Sequence, residues 1–280
     1  MLSFDGGSTL LTAQRILGAT SRSIFQSLEK LSTGQRINRG SDDPAGLVAS
    51  ENLRAVLSSL ESQVRSLLRA DHVANVADGA LAGTSDLLIE ANGLAVTAAN
   101  SAGLSDAEKQ AIQGQIDSIL ATVDRTAGTT TFNGDPLLDG TATLRAGGAS
   151  VDLLDAHSSS LGATDIDGTT YTLADLRSGG ALNLVDGDIS AAQQVIRNSI
   201  TEVASNRGRI GAFQRHTIAG SLGGIQAGIE NLAAANSVIR DTNFAVQTAT
   251  LNRSLVLHEA AIKAIGIMVP LQRSVLDLLS

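Results

Sequence analysis

The residues of this chain able to carry chemistry are few, and their spacing does not suit catalysis. Four histidines, His72, His157, His216 and His258, are scattered along 280 residues with no HExxH spacing, so no helix turn offers two imidazoles to a metal. None pairs by spacing with a nucleophile and an orienting carboxylate. Asp42 and Asp43 are adjacent, but carboxylates at a helix start serve capping and the helix dipole better than acid–base work. Asp165-Ile166-Asp167-Gly168 opens like a calcium loop yet lacks the third acidic ligand and the terminal Glu, so it reads as a turn. The chain has no cysteine, which excludes disulfides, thiolate catalysis and Cys-ligated zinc. The sequence therefore reads as a chain that is not an enzyme, with no catalytic residue, cofactor or metal.

The elements that position these residues are more informative. Leu10, Leu17, Ile24 and Leu31 recur every seven residues near the N-terminus. At the other end Leu251, Leu255, Ile262, Ile265, Val269, Leu276 and Leu279 recur at three-, four- and seven-residue steps. A period near 3.5 keeps one helix seam against a partner helix. Two such seams at opposite ends predict that the ends meet each other or meet copies of themselves.

Between them, further helices are expected over roughly 45–100, 105–125 and from about 189 onward, after a first helix over 8–37. Leu53, Leu60, Leu67, Ala74, Leu81, Leu88 and Ala95 form a strict heptad. Ile196, Val203 and Ile210 continue one seam from Ile189, and a fresh heptad starts at Ile218 and runs through Ile225, Leu232 and Ile239 to Val246. The step to Leu251 breaks phase, so a bend is expected near 240–250. The stretch 129–188 is β-like instead: Gly147-Gly148 separates two short alternating runs as a hairpin turn, and Tyr171-Thr172-Leu173 and Ala181–Leu184 are further strand candidates. The fold class predicted is mainly α, an elongated antiparallel helical bundle or coiled coil with a small hairpin-rich insert.

Composition supports assembly over enzymology. Aromatics are 2% of the chain, so the core must be built from Leu, Ile, Val and Ala. A net charge of -8 argues against nucleic acid, whose binders carry a basic stripe, and against an anionic membrane surface. No run of about 18 apolar residues is present to span a membrane. No basic-then-apolar secretory leader is readable at the start, so an extracellular location would require another export route.

The loop after the first helix carries a family resemblance. Leu31-Ser32-Thr33-Gly34-Gln35-Arg36-Ile37-Asn38-Arg39-Gly40-Ser41-Asp42-Asp43-Pro44-Ala45-Gly46-Leu47 closely resembles the N-terminal segment of bacterial flagellins. Gly34 reads as the helix end, with Ser41 or Asp42 capping the next helix and Pro44 in its first turn. Phe132-Asn133-Gly134, Arg240-Asp241-Thr242-Asn243-Phe244-Ala245 and the ending Val269-Pro270-Leu271-Gln272 with Val275–Leu279 are similar to flagellin segments in the same order. The hook–filament junction protein of the same apparatus, which shares a Ser-Asp-Asp-Pro element, is the alternative.

The resemblance implies a structural subunit that polymerises into the flagellar filament for swimming motility, extracellular after passage through the flagellar type III export route. It implies a terminal helical domain of residues 1–44 and 241–280, and an outer helical domain of 45–240 that includes the insert at 129–188. Partners implied are other copies of the chain, a secretion chaperone on the C-terminal helix, the export apparatus, and filament cap and junction proteins. Arg36, Asn38, Asp42 and Asp43 are expected at the joint between helical layers, with the terminal seam residues as assembly contacts. In flagellins sensed by the animal Toll-like receptor 5, the segment matching Leu88–Val96 carries an Arg and a Glu before Leu-Ala-Val. Here those positions are Glu90 and Gly93, followed by Leu94, so receptor activity is expected to be weak.

Overall fold

Left-handed backbone positions punctuate the chain where its turns fall. The computed structural model describes residues 6–100, 103 and 105–279, with side chains for 10–100, 103, 105–267 and 270. Helix α1 (Gly6–Thr33) stops at Gly34, whose φ of 69° is the conformation that closes a helix without a Cβ penalty. Helices α2 (Pro44–Ala99) and α3 (Asp106–Thr129) follow, then the insert, then α4 (Ile189–Ala212), α5 (Ala219–Arg240) and α6 (Phe244–Leu279). The interruption at 241–243 falls within the stretch 240–250 where the sequence predicts a bend, though ahead of the phase break between Val246 and Leu251. The chain is mainly α, and it divides into two compact units: Met1–Ser59 with Gly228–Ser280, and Leu60–Ala227.

In the second unit the α2 heptad becomes the core: Leu67, Ala74, Leu81, Leu88 and Ala95 are all buried. Against them pack Ile116, Leu120 and Val123 of α3 and Ile196, Val203 and Ile210 of α4. A seven-residue repeat keeps each of these on one face because two helical turns return nearly to the starting direction. The start of α3 is fixed by a reciprocal capping box, Ser105 and Glu108 each bonding the other's backbone N–H.

The insert holds three antiparallel hairpins, β1 (Thr131–Phe132) with β2 (Asp135–Pro136), β3 (Thr143–Ala146) with β4 (Ala149–Asp152), and β5 (Thr164–Ile166) with β6 (Thr169–Tyr171). Each closes through two residues at positive φ: Asn133-Gly134, Gly147-Gly148 and Asp167-Gly168. Such turns match the right-handed strand twist and demand Asn, Asp or Gly. The calcium-loop fragment is thus a hairpin turn. Side chains of α3 hold the insert down. Buried Gln113 donates to the Leu176 carbonyl (2.8 Å) and accepts from the Leu184 N–H (2.7 Å). Asp124 accepts from Ser158 N–H at 2.7 Å and pairs with Arg177.

Two expectations need correcting. Residues 181–184 are not a strand: Asn183 accepts from the N–H groups of Val185 and Asp186, winding the backbone into a turn that buries Leu182 and Leu184. Leu173 is not a strand residue either, because Asp175 bonds back to Thr172 N–H and starts a 3-10 turn, Leu173–Leu176.

Candidate assembly site

The connector 34–43 is organised by its acids. Asp43, not Ser41 or Asp42, caps α2: its Oδ1 accepts from Gly46 N–H at 2.9 Å, while its carbonyl takes the first helical bond from Leu47 N–H. Pro44 can occupy the first helical position because it has no N–H to satisfy. Asp42 instead folds the connector on itself, accepting from the N–H groups of Asn38 (3.0 Å) and Arg39 (2.9 Å). Both carboxyls are held below their ordinary range, Asp42 first by the Arg39 N–H and Asp43 first by the Gly46 N–H. Asn38 bonds the Gln35 carbonyl, and Ile37 is fully buried beneath.

Opposite lies the end of α5, whose last carbonyls have no partner within the helix. The connector supplies partners. Arg36 donates to the Ile239 carbonyl through Nη2 at 2.6 Å and Nε at 3.1 Å, and its backbone N–H donates to the Arg240 carbonyl at 2.6 Å. The same guanidinium reaches Asp43 Oδ2 at 3.3 Å, so the cap of α2 and the cap of α5 share one side chain. Arg240 returns the contact, donating to Gln35 Oε1 (3.1 Å) and Glu51 Oε1 (3.0 Å). Thr242 N–H closes on the Gly34 carbonyl at 2.8 Å, and Ser50, fully buried, donates to Asn236 Oδ1 at 2.7 Å. Arg36, Asn38, Asp42 and Asp43 are therefore brought together by the fold. Gln35, Glu51, Ser50, Asn236 and Arg240 complete the joint; their bonds span some two hundred residues, a distance at which local periodicity carries no signal.

Beyond the joint, α1 and α6 run antiparallel. Their shared seam is largely polar or small. Ala13, Thr20 and Ser27 of α1 are buried seven residues apart, and Ser254 and Ala261 do the same on α6. Gln247 donates to Ser27 Oγ at 2.8 Å, the Ser23 and Ser254 hydroxyls meet at 2.9 Å, and His258 Nδ1 lies 3.4 Å from Thr20 Oγ1. Leu10, Leu17, Ile24 and Leu31 flank this ladder half-buried, with Leu251 and Ile265 from α6. Leu255 and Ile262 are about half exposed, at 46% and 51%, on a face the seam does not cover. Val269, Leu276 and Leu279 lie outside the described side chains. The uncovered faces are strongly apolar: Phe25 is 72% exposed on α1, and Val256 and Ile267 are 67% and 65% exposed on α6.

On α2, Glu90 and Gly93 are exposed and Leu94 packs half-buried on the core. Among the described residues no His, Asp or Glu cluster suits a metal ion, and no helix is long and apolar enough to cross a membrane.

Known proteins are similar to this chain in sequence. The family model for the bacterial flagellin N-terminal helical region matches residues 8–143, and that for the C-terminal helical region matches residues 193–279. Flagellin of Bacillus subtilis (strain 168) is 30% identical over 274 residues, spanning 88% of this chain and 89% of the relative. Flagellin FlaB2 of Treponema pallidum (strain Nichols) is 30% identical over 280 residues, spanning 95% and 96%. The flagellar filament 30.7 kDa core protein of Treponema maltophilum is 29% identical over 284 residues, spanning 96% of each.

Proposed function

The chain belongs to the bacterial flagellin family, and from that premise we infer that it is the structural subunit of an extracellular flagellar filament, not an enzyme. The observation that carries the mechanism is the apolar surface left bare on α1 and α6. A stripe such as Leu11, Phe25 and Leu28 on one helix and Val256, Leu257, Ile262 and Ile267 on the other is costly in water. Further copies of the chain offer matching stripes, so polymerisation buries them. The joint at 34–43 sets the direction in which α1 and α6 leave α2 and α5, and thereby fixes how each copy presents those stripes.

The remaining family partners follow as part of this proposal. A secretion chaperone that covers the C-terminal helix before export would shield the same stripe. Passage through the flagellar export apparatus would suit terminal helices held by a weak, polar seam. Cap and junction proteins would contact the stripe at the two ends of the polymer.

Purified chain brought to salting-out conditions with filament fragments as seeds is expected to elongate them. Limited proteolysis supplies a second measure. Because the α1–α6 seam buries mainly small side chains and single helices are marginal in water, both ends of unassembled chain should be trimmed while polymer is protected. A chain that stays monomeric with seeds present, its ends intact under protease, would overturn the proposal.

A further inference from the structure

The run from α4 to α5 contains a turn that neither helix accounts for. Residues Phe213–Ile218 form a π-helix, with the Ala219 N–H bonding back five residues to the Gln214 carbonyl. At its entrance the Phe213 N–H is shared between the carbonyls of Arg209 and Ile210. Isolated π turns are rare and arise where a helix holds one residue too many.

The buried residues show where that residue is. Along α4 the seam steps by three and four: Ser199, Val203, Asn206, Ile210, Phe213, all buried. The next buried position is Ile218, five residues on, after which Leu222 and Ile225 resume steps of four and three against the same core. In an uninterrupted α-helix each residue turns about 100°, so a five-residue step would leave Ile218 about 140° away from Phe213 around the axis. Yet Ile218 is only 2% exposed and Phe213 4%. The wider turn absorbs the surplus residue and returns the seam to the core.

We propose that the extra residue within Phe213–Ile218 is a removable phase adjuster, a local weak point in the helix that realigns two heptad seams one residue out of step. Arg215 projects into solvent from the middle of the turn. Deleting it shortens the step from Phe213 to Ile218 to four, the value an ordinary α-helix needs. Gln214, which holds Asp71 and Asn75 of α2 at 3.0 Å, keeps its place next to Phe213. Thr217 and Ser221, which pack on the β3–β4 turn at Gly147, keep theirs next to Ile218.

The test compares two single-residue deletions in the whole chain. Removing Arg215 should leave one cooperative unfolding transition within about 5 °C of the parent, since both seams stay buried. Removing Arg197, equally exposed but inside α4, should lower it by about 15 °C or more, because every buried residue on one side rotates off the core. Hydrogen exchange reads the weak point directly. Amides of 214–219 should exchange about tenfold faster than those of 199–210 in the parent and gain that protection when Arg215 is removed. If the Arg215 deletion is as damaging as the Arg197 deletion, the proposal fails. If it folds well but those amides gain no protection, the turn is not the weak point and the proposal fails equally.

Discussion

The guanidinium of Arg36 donates to the carbonyl of Ile239 through two nitrogens, at 2.6 and 3.1 Å, and so closes the end of α5 from the far end of the chain. A cation at a helix C-terminus is favoured both by the bare carbonyls and by the dipole they sum to. Replacing Arg36 with Ala leaves the Ile239 carbonyl without this donor and Asp43 without its ion partner. Since the Arg36 side chain is 45% exposed, the expected cost is about 1 kcal/mol, below that of a fully buried charged bond. Thermal melting should show a drop of a few degrees. Arg36→Lys should recover only part of it, because an ammonium lacks the planar fork that reaches both acceptors. An Arg36→Ala chain that melts with the parent would show the contact to be idle.

Two glycines of α2 should respond to alanine with opposite signs. At Gly46 a Cβ would lie 2.4 Å from Asp43 Oδ2 and 2.8 Å from Ile37 Cδ1, so the capping carboxylate and a buried side chain would both have to move. At Gly79 a Cβ meets nothing within 4 Å. Ala is favoured over Gly in a helix interior by about 1 kcal/mol. Gly79→Ala is therefore expected to raise stability by about that amount, and Gly46→Ala to lower it by 1–2 kcal/mol, roughly the worth of a lost N-cap. Denaturant melts of the two variants would decide; a stabilised Gly46→Ala would mean that the cap tolerates displacement.

Acid should loosen the joint. Asp42 and Asp43 both have folded pKa values below the ordinary 3.8, lowered first by the backbone N–H groups of Arg39 and Gly46 respectively. A depressed carboxyl stabilises the fold fully above its unfolded value and loses that contribution as pH falls through the folded one. Stability from this pair should thus hold from neutral pH down to about 4 and fade below it. Other lowered carboxylates, Glu51 and Asp139 among them, share the acid limb. The informative quantity is the gap in melting temperature between parent and the Asp42→Asn, Asp43→Asn double variant. It should narrow as pH drops from 5 towards 3, in the range of about one unit around the ordinary value. A gap constant with pH would remove these two carboxylates from the account.

What was legible in the sequence follows from which forces leave a periodic trace. The α2 heptad from Leu67 to Ala95 and the α4 seam from Ile196 to Ile210 are apolar, so their spacing declares the buried face. The hairpin turn at Gly147-Gly148 was readable because only small residues accept its dihedrals. The α1–α6 seam was only half legible. Its buried positions include Thr20, Ser27 and Ser254, and apolar spacing points instead to Leu255 and Ile262, which face outward. The capping role falls to Asp43 because it directly precedes Pro44, the first residue of α2, while the Asp42 carboxylate is taken by the Asn38 and Arg39 N–H groups. The surplus residue at 213–218 was visible as a phase change, but periodicity does not say whether a helix bends, breaks or widens to absorb one.

The segment around Glu90 allows a prediction about host recognition. Glu90 and Gly93 are exposed on α2, flanked by Ile89 and Val96, which are 56% and 44% exposed. The surface is therefore open to a partner protein. Receptor-sensed flagellins carry an Arg where this chain has Glu90, and a Glu where it has Gly93. The reversal replaces a five-donor guanidinium with a group that only accepts, so a receptor surface shaped for Arg meets like charge or unpaired acceptors. Burying one such mismatch costs several kcal/mol. A cell reporter for Toll-like receptor 5 should respond weakly or not at all to this chain. The Glu90→Arg, Gly93→Glu double variant should increase the response, while its circular dichroism stays that of the parent because both positions are solvent-facing. Activation by the unaltered chain equal to that by an Arg-bearing flagellin would refute the claim.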